Sequence, residues 1–173
     1  MTLFALKVND VDLGFPEKVL HAPHIRLGAR GIVRKWNLIA ILHKKQKNEY
    51  KLPGGGIDAE ESPEIAFERE ILEEVGVKVT SIQEIGTITE EKGQENFKQI
   101  SFVFVADFFS QATQNFTQQE IEEGSEILWM SAQEALNLMR LSYDNLKWSE
   151  YDNLYRTQFM IKRDIKILEY YLA

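Results

Sequence analysis

Apolar residues come in short runs broken by polar or glycine-rich segments through the first two thirds of the chain, and at helical spacing through the last third. Residues 27–35 and 38–44 read as two strands joined by a tight turn at Trp36-Asn37. A short extended piece, residues 50–52, leads into Gly54-Gly55-Gly56. Residues 77–90 are rich in β-branched side chains, and residues 97–109 alternate Phe and Val as a buried strand does. Gly93-Gln94-Glu95-Asn96 supplies the turn between them, and residues 127–130 give a last strand. Ser131 caps a helix starting at Ala132, with Glu134 completing a capping box. A second amphipathic helix covers roughly residues 150–172 and turns Phe159, Ile161, Ile165, Leu168 and Leu172 to the core. Strands first and helices last predict an α+β fold, a mixed sheet with helices on both faces.

The segment between the second and third of these strand regions has its own punctuation. Ser62 is placed to cap a helix that has Pro63 as its first residue, and Gly76 to end it in the left-handed conformation. On a helical wheel Glu70, Glu73 and Glu74 share one arc, while Ile65, Ile71, Leu72 and Val75 occupy roughly the opposite one; Glu68 falls inside the apolar arc. Like charges three or four residues apart cost a few tenths of a kcal/mol per pair. Carboxylates in a last turn also oppose the helix dipole, by about 0.3–1 kcal/mol each. A divalent cation reverses both effects, since hard cations prefer carboxylate oxygens. A solvated acidic face with Arg69 bridging to Glu73 is the competing reading, and the three preceding glycines weigh against it. Without Cβ atoms, they let the backbone approach a metal or an oxyanion closely.

Gly55, Glu61, Arg69, Glu70, Ile71, Glu73, Glu74, Gly76 and Val77 occupy every fixed position of the Nudix box, which this segment resembles. Glu60 departs in a small way, standing where many members have glycine. The resemblance implies a Nudix-type α/β/α sandwich and a Mg²⁺- or Mn²⁺-dependent hydrolase that cleaves within the diphosphate of a nucleoside diphosphate derivative. By position, Glu70, Glu73 and Glu74 would be metal ligands with the Gly54 carbonyl. Arg69 would hold Glu73, and Glu61 would support the loop and the metal's water shell. A metal-bound diphosphate attacked in line by water needs positioning and charge neutralisation and no covalent nucleophile, which suits a chain without Cys. The general base is open between Glu70 and a carboxylate of the later polar stretch, where Glu123 and Glu126 are preferred over Glu120 and Glu122.

Composition narrows the partners. A chain of 173 residues is one domain of ordinary size, and a net charge of −7 argues against a general nucleic-acid binder. A phosphate substrate must then be attracted by local charge, for which Lys51, Arg30, Arg26 and Lys98 are candidates, with Phe97, Phe102, Phe104, Trp36 or Tyr50 to stack a base. No apolar run approaches membrane length, and the expected compartment is cytoplasmic. Residues 1–24 are read as an extension ahead of a domain at 25–173, with Val11, Leu13 and Phe15 alternating as an edge strand or a homodimer contact. His21, His24 and His43 have no ligand-like spacing. The proline that ADP-ribose hydrolases carry after the box has no counterpart, since no Pro follows Pro63, and the coenzyme A signature is missing too. Two other classes remain in view. One is a non-catalytic nucleotide-sensing module; the other is an RNA 5′-end pyrophosphohydrolase using a patch of Arg26, Arg30, Arg34 and Lys35.

Overall fold

The computed structural model describes residues 2–146 and 154–173. Its centre is an eight-stranded mixed sheet. The strands are β1 (Phe4–Asn9), β2 (His24–Lys35), β3 (Leu38–Lys44), β4 (Glu49–Lys51), β5 (Gly54–Gly56), β6 (Val77–Lys92), β7 (Phe97–Gln111) and β8 (Ser125–Met130). They lie in the order β1-β6-β7-β2-β3-β4, with β5 added to β2 and β8 to β3. β1 runs parallel to β6 and β2 parallel to β7, and the remaining pairs are antiparallel. The helices are α1 (Pro63–Glu74), α2 (Gln118–Glu122), α3 (Ala132–Asp144) and α4 (Leu154–Leu172).

Alternation along the strands divides the core in two. Ile32, Ile39, Ile41, Ile88 and Val103 face α3 and α4, where they meet Ala135, Met139, Phe159, Ile161 and Leu168. Ala29, Val33, Ala40, Phe104 and Ala106 face α1 and meet Ala66, Phe67 and Ile71. The expected sandwich of helices on both faces of a mixed sheet is therefore present. No described helix is long and apolar enough to cross a membrane.

Local signals acted where they were expected to. Lys35 pairs with Leu38 across the Trp36-Asn37 turn. The Ser62 and Ser131 side chains accept from the Ile65 and Glu134 amides at the starts of α1 and α3, but the capping box expected at α3 is only half formed, since the Glu134 side chain does not return to the Ser131 amide. Several expectations need correction. The box helix is rotated: Ala66, Phe67, Ile71 and Val75 are buried, but Ile65 is 59% and Leu72 39% exposed. Glu68, on the side of Ile65 and Leu72, is exposed with them. The rotation follows from Phe67, which stacks on Phe104 at 5.1 Å and draws its own side of the helix onto the sheet. The N-terminal edge strand is Phe4–Asn9, whereas Val11–Leu13 is a single 3₁₀ turn. Phe4 and Val8 supply buried anchors that Val11, 58% exposed, does not. At the other end, Leu172 is exposed past the last turn that packs on the core. The predicted start of α4 at residue 150 lies outside the described residues. Two elements had no forecast: Gly54–Gly56 pairs with β2 as a strand, and Thr117 with Glu120 closes a capping box that starts α2.

Candidate active site

The glycine strand and the box helix are joined by carboxylates. The Gly54 amide donates to Glu74 Oε2 at 2.9 Å, so Glu74 is held, 7% exposed, under the loop. A Cβ on Gly55 would lie 2.4 Å from Glu70 Oε1, so only glycine lets this backbone lie against that carboxylate. Gly76 takes φ +73°, and its amide bonds the Ile71 carbonyl. The last carbonyls of α1 are taken by the loop after β7: Asn115 N donates to Glu73 O and Gln114 Nε2 to Glu74 O. Glu60 sits at φ +65°, the left-handed region in which glycine is unstrained, which accounts physically for glycine at this position in many relatives of the box.

Arg69 ties loop to helix. Its Nε and Nη2 grip Glu61 at 2.8 and 2.9 Å, Nη2 reaches the Gly56 carbonyl at 3.0 Å, and Nη1 donates to Glu70 Oε1 at 2.8 Å. Glu73 stands 3.6 Å from Nη1 with its side chain 42% exposed. Arg69 therefore clamps Glu61 and Glu70 more closely than the Glu73 expected from the box. A bidentate guanidinium–carboxylate pair fits planar fork to planar fork, whereas an i, i+4 reach must compete with water. The Arg69 hydrogen bonds, with the Asp58 amide, hold the Glu61 carboxyl down at about 2. Burial pushes the Glu70 and Glu74 carboxyls up, against the opposing pull of Arg69 on Glu70 and of Lys51, 3.5 Å away, on Glu74.

Next to this acidic face opens a cleft of about 310 Å³ into which Gly54 and Gly55 project. Eight cations line it (Arg26, Arg30, Lys44, Lys47, Lys51, Lys92, Arg156 and Arg163) against the carboxylates of Glu49, Glu90 and Glu123. That excess answers how a chain of net charge −7 can draw in a phosphate. The cleft's floor is a buried polar network. Arg163 bonds Glu90 and Asp164, Asp164 Oδ2 accepts the Leu52 amide at 2.9 Å, and Lys92 lies 3.5 Å from Glu90. Burial and the neighbouring Arg163 lower the Arg30 guanidinium to about 10.

Of the four phosphate-contact candidates, Lys51, Arg30 and Arg26 line the cleft and Lys98 does not. Phe97 also lies outside it, between His24 and Lys92, and Phe104 is in the core; no aromatic ring lines the cleft among the described residues. Trp36 is 87% exposed at its turn, and Tyr50 stacks on His43. Glu123 lines the cleft but is locked by Lys44 at 2.8 Å, Lys47 at 3.4 Å and Gln119 at 3.1 Å, and its carboxyl is lowered by Lys44 and Gln119 against its burial. Glu126 does not reach the cleft; it pairs with His43 and Lys45 across β3 and β8. The basic run is split as well, since Arg34 is engaged by Asp107 and Lys35 lies over Phe108 and Trp129.

Sequence reading missed Glu90, Lys92, Arg163 and Asp164. One signal was available: Asp164 falls between Ile161, Ile165 and Leu168 on the apolar stripe of α4, where an acidic residue must be buried with a partner.

A divalent ion is the group this site implies. As placed, no three acidic or histidine side chains among the described residues lie close enough together to hold a metal ion. The donor chemistry nevertheless fits. Glu70, Glu73 and Glu74 offer hard oxygens on successive turns of one helix beside a Cβ-free loop, and Glu70 and Glu74 already lie against the cations Arg69 and Lys51.

The NUDIX domain family matches residues 27–151, most of the chain and all of the box. The chain belongs to the Nudix family. Its α+β architecture is that of the Nudix fold. Among solved structures, it is similar to the E. coli ORF135 protein at 19% identity and TM-score 0.59, over 88% of this chain and 91% of that one. It is similar to the mutator MutT protein of Bacillus halodurans at 23% identity and TM-score 0.51, over 65% and 72% of the two chains. The MutT NUDIX hydrolase of Burkholderia pseudomallei aligns at 17% identity and TM-score 0.51, over 81% and 98%. At these identities the likeness speaks for the Nudix fold. No curated protein sequence matches the chain.

Proposed function

We propose that this Nudix hydrolase cleaves the diphosphate linkage of a nucleoside diphosphate derivative by in-line attack of water at phosphorus, with Mg²⁺ or Mn²⁺ as cofactor. The observation that carries the reading is the meeting of box carboxylates and cationic cleft at Gly54–Gly56. Glu70, Glu73, Glu74 and the Gly54 carbonyl are the residues to hold the ion, with Glu61 fixed behind them by Arg69. When bound, such an ion neutralises the diphosphate and lowers the pKa of a coordinated water. Lys51 bridges the two parts of the site, close enough to Glu74 to meet a phosphate oxygen on the cleft side. Glu70 is the preferred proton acceptor: burial raises its basicity while Arg69 fixes its orientation. Glu123, held down by two lysines, is the weaker base and is assigned to anchoring α2 beside the cleft.

The test is phosphate release over a panel of nucleotide derivatives with Mg²⁺, with Mn²⁺ and after chelation. The expected result is turnover that depends on the divalent ion and splits a diphosphate bond. A panel that binds and stays intact with either ion would support the nucleotide-sensing alternative.

A further inference from the structure

Among the described residues, Arg30 is a buried cation without an anion in contact. It is 4% exposed, and its only hydrogen bond among the described residues runs from Nε to Ser101 Oγ at 3.1 Å. Asp164, Glu90 and Glu74 act on it through space, and Arg163 opposes them. Every other deeply buried cation of the cleft has a carboxylate at hand: Arg163 has Glu90 and Asp164, and Lys92 has Glu90. The terminal nitrogens of Arg30 thus offer donors to the cleft that no described residue takes up, the arrangement expected where a ligand supplies the acceptors.

A second guanidinium stands near it. Arg26, Gly28 and Arg30 share one face of β2 at every second position. Gly28 is directly paired with Gly56, so the rung between the arginines has no side chain from either strand. A Cβ on Gly56 would come within 3.0 Å of Arg26 Nη2, and one on Gly28 would lie 3.5 Å from Arg30 Nη2. The rung therefore lies under the two guanidinium groups, with the Ser101 hydroxyl 3.4 Å from the Cβ position of Gly28, and both arginines line the cleft above it. It also lies beyond the acidic face: the Cβ position of Gly55 is 2.4 Å from Glu70 Oε1, whereas the Gly55 carbonyl is 3.1 Å from the Cβ position of Gly28. The order across the site is box carboxylates, Gly55, then the arginine pair.

The reacting diphosphate belongs at the carboxylate end, with Lys51. The Arg26–Arg30 pair is one step further along the cleft and is charge in excess of what that diphosphate uses. We propose that Arg26 and Arg30 form a clamp for a phosphate group additional to the two that are split apart. The enzyme then selects substrates with at least three phosphates over those with two. This rests on the diphosphate-hydrolase reading and specifies its substrate class. A nucleoside triphosphate and a sugar or polyol diphosphate bearing a further phosphate monoester present the same chemistry to the clamp.

The test compares kcat/KM with Mg²⁺ for nucleoside triphosphates, for a phosphorylated sugar diphosphate, and for a nucleoside diphosphate sugar, which has two phosphates only. The parent enzyme is expected to prefer one of the first two by about tenfold or more, the scale of a charge-assisted contact; which one it prefers identifies the source. Arg26→Gln and Arg30→Gln should each cut that preferred activity by about tenfold or more beyond whatever loss they cause on the two-phosphate substrate. Arg26 is exposed, so its variant folds even where that of Arg30 does not. Parallel titrations with inorganic triphosphate and pyrophosphate read the clamp by binding, without turnover. Triphosphate should bind the tighter, and Arg26→Gln should remove the difference. An inert enzyme that still shows this difference would overturn the hydrolase reading and keep the clamp. Equal binding of the two, or equal loss on two- and three-phosphate substrates, would overturn the clamp.

Discussion

Glu74 combines burial, a backbone hydrogen bond and a lysine neighbour, so its charge and its shape can be separated by one change. Glu74→Gln keeps an acceptor for the Gly54 amide and removes the negative charge next to Lys51. Turnover should fall by about 100-fold or more, as for loss of a ligand to a catalytic ion, while the melting temperature holds. Glu64→Gln, exposed in the first turn of the same helix, alters only a dipole contribution of about 0.3–1 kcal/mol and should leave turnover within about twofold. Steady-state rates for both variants decide the matter, and similar losses would contradict the assigned roles. Glu49 tests electrostatics away from the metal face. It is 2% exposed, and burial raises its carboxyl despite Lys44, Lys47 and Lys51. A raised folded-state pKa means that the folded chain holds the proton more tightly than the unfolded one. The group's contribution is therefore complete below the ordinary carboxylate range and is lost as pH rises through the folded value. Glu49→Gln, uncharged throughout, should match the parent's melting temperature near pH 4 and exceed it by a margin that grows toward pH 8. Thermal denaturation across that range checks the slope; a margin shrinking with pH would refute it.

At the scale of elements, α1 is fixed at both ends by signals that the sequence carried in plain form, Ser62-Pro63 and Gly76. Its rotation was not readable, because the wheel weighs Ile65, Leu72 and Phe67 alike, while the sheet offers a ring partner, Phe104, to Phe67 alone. The same limit applies to Gly54–Gly56, which carries no side-chain pattern and becomes a strand only because β2 lies next to it. The C-terminal signal of α1 makes a quantitative claim. A Cβ at Gly76 would be forced into the left-handed region, at about 1–2 kcal/mol, and would lie 2.6 Å from Gln114 Cγ and 2.9 Å from Gln114 N. Gly76→Ala should thus destabilise by about 2 kcal/mol or more. It should also loosen the loop whose Gln114 and Asn115 donate to the last carbonyls of α1. Urea denaturation gives the first effect and hydrogen exchange at Asn115 the second. A loss under about 0.5 kcal/mol, the range of neutral surface changes, would mean that this end of the helix is not held as described.

Across the whole molecule, the acidic half of the site was legible because one loop and one helix carry it within a single stretch of sequence. The cationic half was legible only in Arg26, Arg30 and Lys51; Lys44, Lys47, Lys92, Arg156 and Arg163 come from β3, the turn after it, β6 and α4, which only the sheet order brings together. The N-terminal segment belongs to the same assembly. β1 pairs with β6 from Phe4–Gly86 to Asn9–Glu91 and covers the edge of the strand that carries Glu90 and Lys92 into the cleft. Phe4 packs on Tyr170 of α4 at 4.6 Å, and Val8 is fully buried. Removing residues 1–9 deletes both anchors. Loss of a buried Phe side chain alone costs about 3–5 kcal/mol, a large part of the 5–15 kcal/mol that holds a domain folded. It also bares the β6 edge, whose unpaired amides and carbonyls invite another chain. The truncated protein should therefore melt at a much lower temperature and self-associate as it does so, measurable by calorimetry and light scattering. Its remaining activity should fall further than the box alone would dictate, since the Glu90–Arg163 floor loses the strand beside it. A truncated chain that melts with the parent and stays monomeric would show that the fold is complete without β1.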